Sequence, residues 1–420
     1  MDKKLLIFLA LAALLVFSSF YRIQNAVIGP DLMSEFRIGP EALGTLGSAF
    51  FYSFATLQFV VGPLLDRAGP RLVIAVFAVI GGVGAILFSM SGTFMAALIG
   101  RILLGAGMAA MLMGALKAFT ILFLPDKFSS YAGLLTSLGT LGYIMASTPF
   151  VHLNRIAGWR VTTFVAGAIT ILLGALLFRW LEKWGSPAER EAAAMPQDKG
   201  LTPLRSLITI FGSLSFWQVS LTAFCRYGAF ASLQGVWLAL YLMDIASYSS
   251  MQAGNMLLVL SIGTILGSPC AGWLYDRFPG RKKAVVISGL SLYSLSLVPL
   301  VGLFTIQSTI WYGAVCLSLG FFGGSGMLLY SYAKELFPAN LSATAMASVN
   351  SFMMFGGAVF TQLTGTIVQF LSNADGSRSA TAYHAAFFVC FMSLSISLAF
   401  FGLIHPAMGK QDQQQKEGRG

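Results

Sequence analysis

The chain is 420 residues long, 56% hydrophobic and only 10% charged, with a mean hydropathy of +0.77, which leaves too little polar surface to enclose a soluble globule and marks an integral membrane protein. The net charge of +10 would suit a nucleic-acid binder, but most Lys and Arg fall in loops of one parity between apolar runs, the signature of the positive-inside rule; no nucleic-acid partner is expected, and both termini are placed in the cytoplasm. The four cysteines, Cys225, Cys270, Cys316 and Cys390, sit inside apolar runs without metal-ligand spacing, so neither a disulfide scaffold nor a metal centre is expected.

In chain order, Asp2-Lys3-Lys4 followed by an apolar run mimics a signal peptide, but the run lacks a small-residue exit site and continues through Arg22 as a first spanning helix. At about 20 apolar residues per crossing, six helices are predicted at Leu5–Gly29, Leu43–Leu65, Leu72–Met90, Phe94–Phe123, Tyr131–Val151 and Val161–Leu181. Residues 182–215 then break the pattern with charges and with Pro187, Pro196 and Pro203, and read as a cytoplasmic linker, helical through Ala188–Ala194 and amphipathic at Ser206–Ser215. Six more helices follow at Phe216–Met243, Met251–Tyr275, Ala284–Leu303, Ile310–Glu335, Ala343–Leu371 and Ala382–Ile404, before a polar tail at 406–420. Backbone groups in lipid must be paired within their own segment, so this hydropathy dictates an all-α membrane protein with twelve transmembrane helices. Glycine groups at Gly81–Gly84, Gly105–Gly107, Gly320–Gly326 and Gly356–Gly357 are spaced like small-residue helix interfaces.

The segment Gly62–Arg71, G-P-L-L-D-R-A-G-P-R, returns as Gly272–Lys283, G-W-L-Y-D-R-F-P-G-R-K-K. Two further echoes pair Leu124–Ser129 with Phe337–Ser342 and Phe20-Tyr21-Arg22 with Phe224-Cys225-Arg226, so the chain reads as duplicated. The repeated segment, expected to be a short loop, resembles the signature loop between the second and third helices of the major facilitator superfamily of secondary transporters. Pro70 and Pro279 depart from that pattern. The resemblance implies two pseudo-symmetric six-helix bundles, at 1–181 and 216–405, facing one another across a mid-membrane cavity. It also implies that Asp66, Arg67, Arg71, Asp276, Arg277 and Arg281 latch the bundles on the cytoplasmic side during conformational coupling. Arg101, in R-I-L-L-G-A-G, resembles the family's fourth-helix pattern, which assigns it to structure or coupling.

The chemistry lies in the charges. Arg22, Arg101, Lys117 and Arg226 stand inside apolar runs, whereas each acidic residue falls in a loop, a tail or a helix end. A cation at the centre of a membrane helix costs about 2.5–3.5 kcal/mol on insertion scales, so these cations are expected to face water, carbonyls or an anion. Arg22 shares a helical face with Ser18, Asn25 and Gly29, and Arg226 occupies the related position of the seventh helix. Lys117 has Gly114 and Ala110 on its face, small residues expected to leave a cavity before its ammonium. Arginine would grip a carboxylate or phosphate by a bidentate fork and lysine as a point charge. Tyr52, Tyr143, Tyr330 and Asn350 complete the expected substrate site, Tyr330 aligning with Lys117 when the Pro125 and Pro338 segments are matched. The bland alternatives are snorkelling for Arg22 and Lys117, carbonyl bonding for Arg226 and simple packing for the tyrosines.

These features point to a monomeric, multi-pass carrier in the cell's plasma membrane that moves a small organic anion, a carboxylate or sugar acid, by alternating access. Uptake would be driven by protons or by anion exchange. With no mid-membrane carboxylate, a proton would ride on Lys117 or on the substrate, because arginine does not deprotonate in proteins. His152, His384 and His405 fall near helix ends and read as interface residues. The first-helix F-Y-R, the L-K-A-F of the fourth helix and the R-Y-G of the seventh are similar to those of bacterial anion and sugar-acid permeases. An amino-acid or nutrient permease is the second reading, and a membrane sensor or scaffold is the non-transport one. Drug or metabolite efflux falls lower, because Gly139–Gly142 lacks the Gly-Pro step resembling the signature of proton-driven exporters and buried acids are missing. Neither a phosphate loop nor a catalytic triad appears, so no enzyme and no cofactor are expected.

Overall fold

A computed structural model describes residues 3–122, 128–181, 203–303, 308–372 and 378–404. The expected helix at Ala188–Ala194, the side chain of Asp66, His405 and the C-terminal tail lie outside the described residues.

Helices account for nearly all of the described chain. The first half comprises α1 (Lys3–Ile23), α2 (Asn25–Phe36), α3 (Pro40–Ser89), α4 (Phe94–Met108), α5 (Met111–Leu122), α6 (Phe128–Gly139), α7 (Leu141–Met145) and α8 (Thr148–Trp180). After the linker come α9 (Pro203–Phe211), α10 (Leu214–Ser232), a π turn (Leu233–Trp237), α11 (Leu238–Asp244) and α12 (Ser250–Arg277). Then follow α13 (Lys282–Leu297), α14 (Thr309–Gly323), a 3-10 turn (Gly324–Met327), α15 (Leu328–Leu336), α16 (Ala339–Phe370) and α17 (Ala380–Gly402). Ten stretches among the described residues are long and apolar enough to span a membrane. The fifth and seventh predicted helices are the broken runs α6–α7 and α10–π turn–α11, which complete the twelve.

Gly62–Arg71 is not an ordinary loop. Helix α3 continues through it, and the chain reverses at the single non-helical residue Gly69 (φ 73°, ψ 161°). That backbone conformation is strained for any residue carrying a Cβ, and Pro70, with no N–H to satisfy, starts the return arm. Gly158 (φ 78°) does the same inside α8, joining the fifth and sixth crossings with no intervening loop. An arginine follows each turn by two residues and bonds the end of another helix. Arg71 Nε donates to the Phe178 carbonyl at 2.8 Å; Arg160 donates to the carbonyls of Ser89 and Ser91, each at 2.6 Å, and pairs with Glu35. A cation at a helix C-terminus meets both unpaired carbonyls and the negative end of the dipole.

Lys283 does for the second half what Arg71 does for the first, its Nζ donating to the carbonyls of Gly402 (2.7 Å) and Ile404 (2.6 Å) at the end of α17. Arg71 and Lys283 thus each bond the last helix of their own half, while Lys282 of the second segment pairs with Glu335 on α15. Arg67, Asp276, Arg277 and Arg281 are exposed.

Small residues set the helix spacing. A Cβ on Gly105 would stand 2.1 Å from the Phe50 carbonyl oxygen, and one on Gly320 1.9 Å from that of Leu260, so equivalent helix pairs in the two halves meet backbone to backbone. The halves meet each other away from the membrane face that carries the N-terminus. Ser48 Oγ donates to Gln362 Oε1 (3.1 Å), Thr148 Oγ1 to Asn255 Oδ1 (2.7 Å), and Arg378 Nη1 lies 3.0 Å from Met33 Sδ. Arg378 is fixed there by a fork on Asp244, at 2.5 and 2.7 Å, whose carboxylate also accepts from Tyr383 (2.6 Å). Burial lowers the Arg378 pKa, but its bonds to Asp244 outweigh this and raise it above its ordinary value.

Candidate functional site

Helix α1 ends its regular course just beyond Arg22. Val27 N–H bonds the Gln24 carbonyl instead of continuing the i−4 ladder, while the Tyr21 carbonyl accepts from Arg101 Nη1 at 2.8 Å. Arg101 is fully buried, and its Nε reaches the Leu46 carbonyl at 3.1 Å, so one guanidinium ties α4 to α1 and α3. Its bonds all run to backbone, with the rings of Phe50 and Phe88 at 5.2 and 5.8 Å.

Arg22 faces the boundary between the halves. Its Nη1 donates to Tyr143 Oη from the first half and to Tyr227 Oη from the second, each at 3.2 Å, and its Cζ stands 5.2 Å from the Phe54 ring centroid. Its Nε is buried without a hydrogen-bond partner among the described residues. Arg226, one residue before Tyr227 on α10, is only 5% exposed. Its guanidinium lies over Phe230 (5.0 Å) and Tyr293 (5.6 Å), makes no hydrogen bond among the described residues, and has no acidic partner there. Gly326 makes the room: a Cβ at that position would lie 2.2 Å from Arg226 Cζ. The glycine-rich 3-10 turn thus acts locally as a cradle for a cation, beyond helix packing. The phenols of Tyr143, Tyr227, Tyr293 and Tyr330 all fall within electrostatic range of Arg226.

Of the expected site residues, Arg22, Arg226, Tyr143 and Tyr330 are therefore gathered at one level, with Asn350 accepting from Tyr330 Oη at 2.7 Å. Asn25 is buried beyond Arg22, both of its amide atoms without a partner among the described residues. Tyr52 stands apart, exposed on α3, with no described hydrogen bond to the arginines. Lys117 is half-buried on α5, but the cavity expected over Gly114 is absent. Ile74 fills it, with Cγ1 2.6 Å from where a Gly114 Cβ would be. Tyr227, Tyr293 and Gly326 were not anticipated; the available signal was the placement of Tyr227 directly after a buried arginine.

The arrangement offers two guanidinium groups, from equivalent positions of the two halves, in a wall of rings and phenols. Phenols accept from a guanidinium without neutralising it, so the positive charge remains for an anion to meet.

The model of the Major Facilitator Superfamily matches residues 8–361. A probable sulfoacetate transporter of Cupriavidus necator is 23% identical, over 94% of this chain and 93% of its own. A hexuronate transporter of Escherichia coli is 22% identical, over 81% and 82%. Among solved structures, an inward-facing bacterial homologue of the human lysosomal transporter Spinster superposes with a TM-score of 0.76 at 17% identity, covering 97% of this chain and all of that one.

Proposed function

Since the chain belongs to the Major Facilitator Superfamily and is a multi-pass secondary transporter, we propose that it carries a small organic anion, a carboxylate or sugar acid, gripped between Arg22 and Arg226. The observation that carries this reading is Arg226: a nearly fully buried guanidinium with neither acid nor hydrogen-bond partner among the described residues, in a space kept open by Gly326. Burying an unpaired charge is costly enough that evolved sites pair it with a ligand. Relatives described as moving sulfoacetate and hexuronate, both organic anions, support the class.

In this mechanism the anion enters while one face is open and draws Arg226 of the second half toward Arg22 of the first. Tyr143 and Tyr227 hold Arg22 in register, Tyr330 and Asn350 line the same level, and Lys117 supplies further positive potential. Binding from both halves closes one gate and releases the other. Arg101 keeps the first-half helices together, and the basic residues of the signature segments secure the last helix of each half as the bundles rock. The carrier works as a monomer in the plasma membrane with both termini cytoplasmic, importing its substrate with a proton or against a second anion.

Thermal unfolding of the detergent-purified protein with carboxylates, sugar phosphates, amino acids and lipophilic cations tests this, because a ligand of the folded state raises its stability. Stabilisation by carboxylates or sugar acids supports it; stabilisation by lipophilic cations alone would return efflux to the front.

A further inference from the structure

Two irregular turns meet beside Arg22. The break of the first crossing at Gln24 lies against the π turn Leu233–Trp237 of the seventh, close enough that a methyl on Gly235 would stand 3.9 Å from the Arg22 carbonyl oxygen. Single π turns inside α-helices recur at functional sites. The first break carries two buried amides, and the π turn one, that the fold leaves incomplete: Gln24, fully buried, has neither Oε1 nor Nε2 hydrogen-bonded among the described residues. Asn25, 1% exposed, has neither Oδ1 nor Nδ2 hydrogen-bonded among the described residues. Gln234, also 1% exposed, donates through Nε2 to Ser261 Oγ (3.3 Å), while its Oε1 has no partner among the described residues. Ser261 in turn donates to the Leu257 carbonyl (2.8 Å), which fixes the direction of that relay.

An unpaired buried amide costs about 1–3 kcal/mol per group, so these atoms call for a ligand. Its chemistry follows from the donors and acceptors on offer. A metal cation would satisfy the amide oxygens of Gln24, Asn25 and Gln234 and leave the Gln24 and Asn25 nitrogens unmatched, whereas an anion would satisfy those nitrogens and leave the oxygens unmatched. A hydroxyl, which donates and accepts at once, matches both. Asn25 lies three residues beyond Arg22, roughly 4.5 Å of helical rise. A chain of a few carbons held at one end by Arg22 reaches it.

We propose that Asn25 and Gln234 form the subsite for the uncharged part of the substrate, and that this part bears hydroxyl groups: the cargo is a polyhydroxylated carboxylate rather than an aliphatic one. The proposal rests on the anion reading above and adds to it a specificity element at the contact of the two broken helices.

The test compares gluconate with hexanoate, equal in carbon number and charge, by ligand-dependent thermal stabilisation of the full-length protein, in wild type, Asn25→Leu, Gln234→Leu and Arg226→Ala. Wild type is expected to bind gluconate at least tenfold more tightly. Each leucine variant should narrow that preference roughly three- to tenfold, the worth of a neutral hydrogen bond or two, while hexanoate binding is unchanged. Should Asn25→Leu fail to fold, Gln234→Leu carries the same comparison. Equal stabilisation of wild type by both acids, or a gluconate preference unchanged in the folded leucine variants, would mean that the amides hold only water and would overturn the subsite. Those outcomes leave the anion reading intact provided Arg226→Ala loses both acids; if neither acid stabilises wild type, or Arg226→Ala keeps both, the anion reading fails and the subsite with it.

Discussion

Tyr227 accepts a hydrogen bond from Arg22 at 3.2 Å, joining the residue that follows one buried arginine to the guanidinium of the other across the boundary between the halves. Each arginine is thereby held near the other by a neutral group, so the pair is organised before an anion arrives.

Tyr227→Phe removes the acceptor and keeps the ring, which also contacts Phe51 edge-on at 6.3 Å. We expect anion affinity to fall roughly ten- to a hundredfold, the worth of one hydrogen bond to a charged group. Titration of ligand-dependent melting checks this; unchanged affinity would show that Tyr227 does not orient Arg22.

Gly326→Ala places a methyl where the Arg226 guanidinium lies. It should impair anion binding as severely as loss of the arginine itself. Gly313→Ala, where an added Cβ meets nothing within 4 Å, should behave as wild type. Binding and unfolding of the two alanine variants, measured side by side, separate a cradle for Arg226 from general glycine packing.

Arg101→Leu removes the side-chain hydrogen bonds to two buried carbonyls, of Tyr21 and Leu46. A stability loss on the order of 3 kcal/mol is expected in the absence of ligand. Arg101→Lys should restore little, since one ammonium does not reproduce the two-pronged reach. Thermal unfolding without ligand reads this directly, and a variant that unfolds like wild type would remove Arg101 from the structural role.

Much of the fold was legible because lipid imposes one simple rule: long apolar runs must be helices. The breaks were not. Gln24, Ala109–Ala110 and Leu233–Trp237 are ordinary helix residues locally, and it is a tertiary event, the capture of the Tyr21 carbonyl by Arg101, that accompanies the first break. Gly62–Arg71 reads as a loop from its Gly, Pro and charges, yet two residues, Gly69 and Pro70, suffice to turn the chain. In the site, Arg22 and Arg226 were visible because a charge in an apolar run demands an explanation. Tyr227 and Tyr293 were not, because a tyrosine there is equally good packing. The space predicted before Lys117 failed for a related reason: Gly114 marks a close approach, and only the structure shows Ile74 making it.

The central claim is that Arg226 is kept unpaired for an anionic cargo. Its most direct test is the change in melting temperature of wild type and Arg226→Ala across a gluconate titration. At a hundredfold excess over Kd, wild type should gain about 2.7 kcal/mol of stability while Arg226→Ala, equally well folded, gains nothing. An equal gain in both proteins would contradict the account.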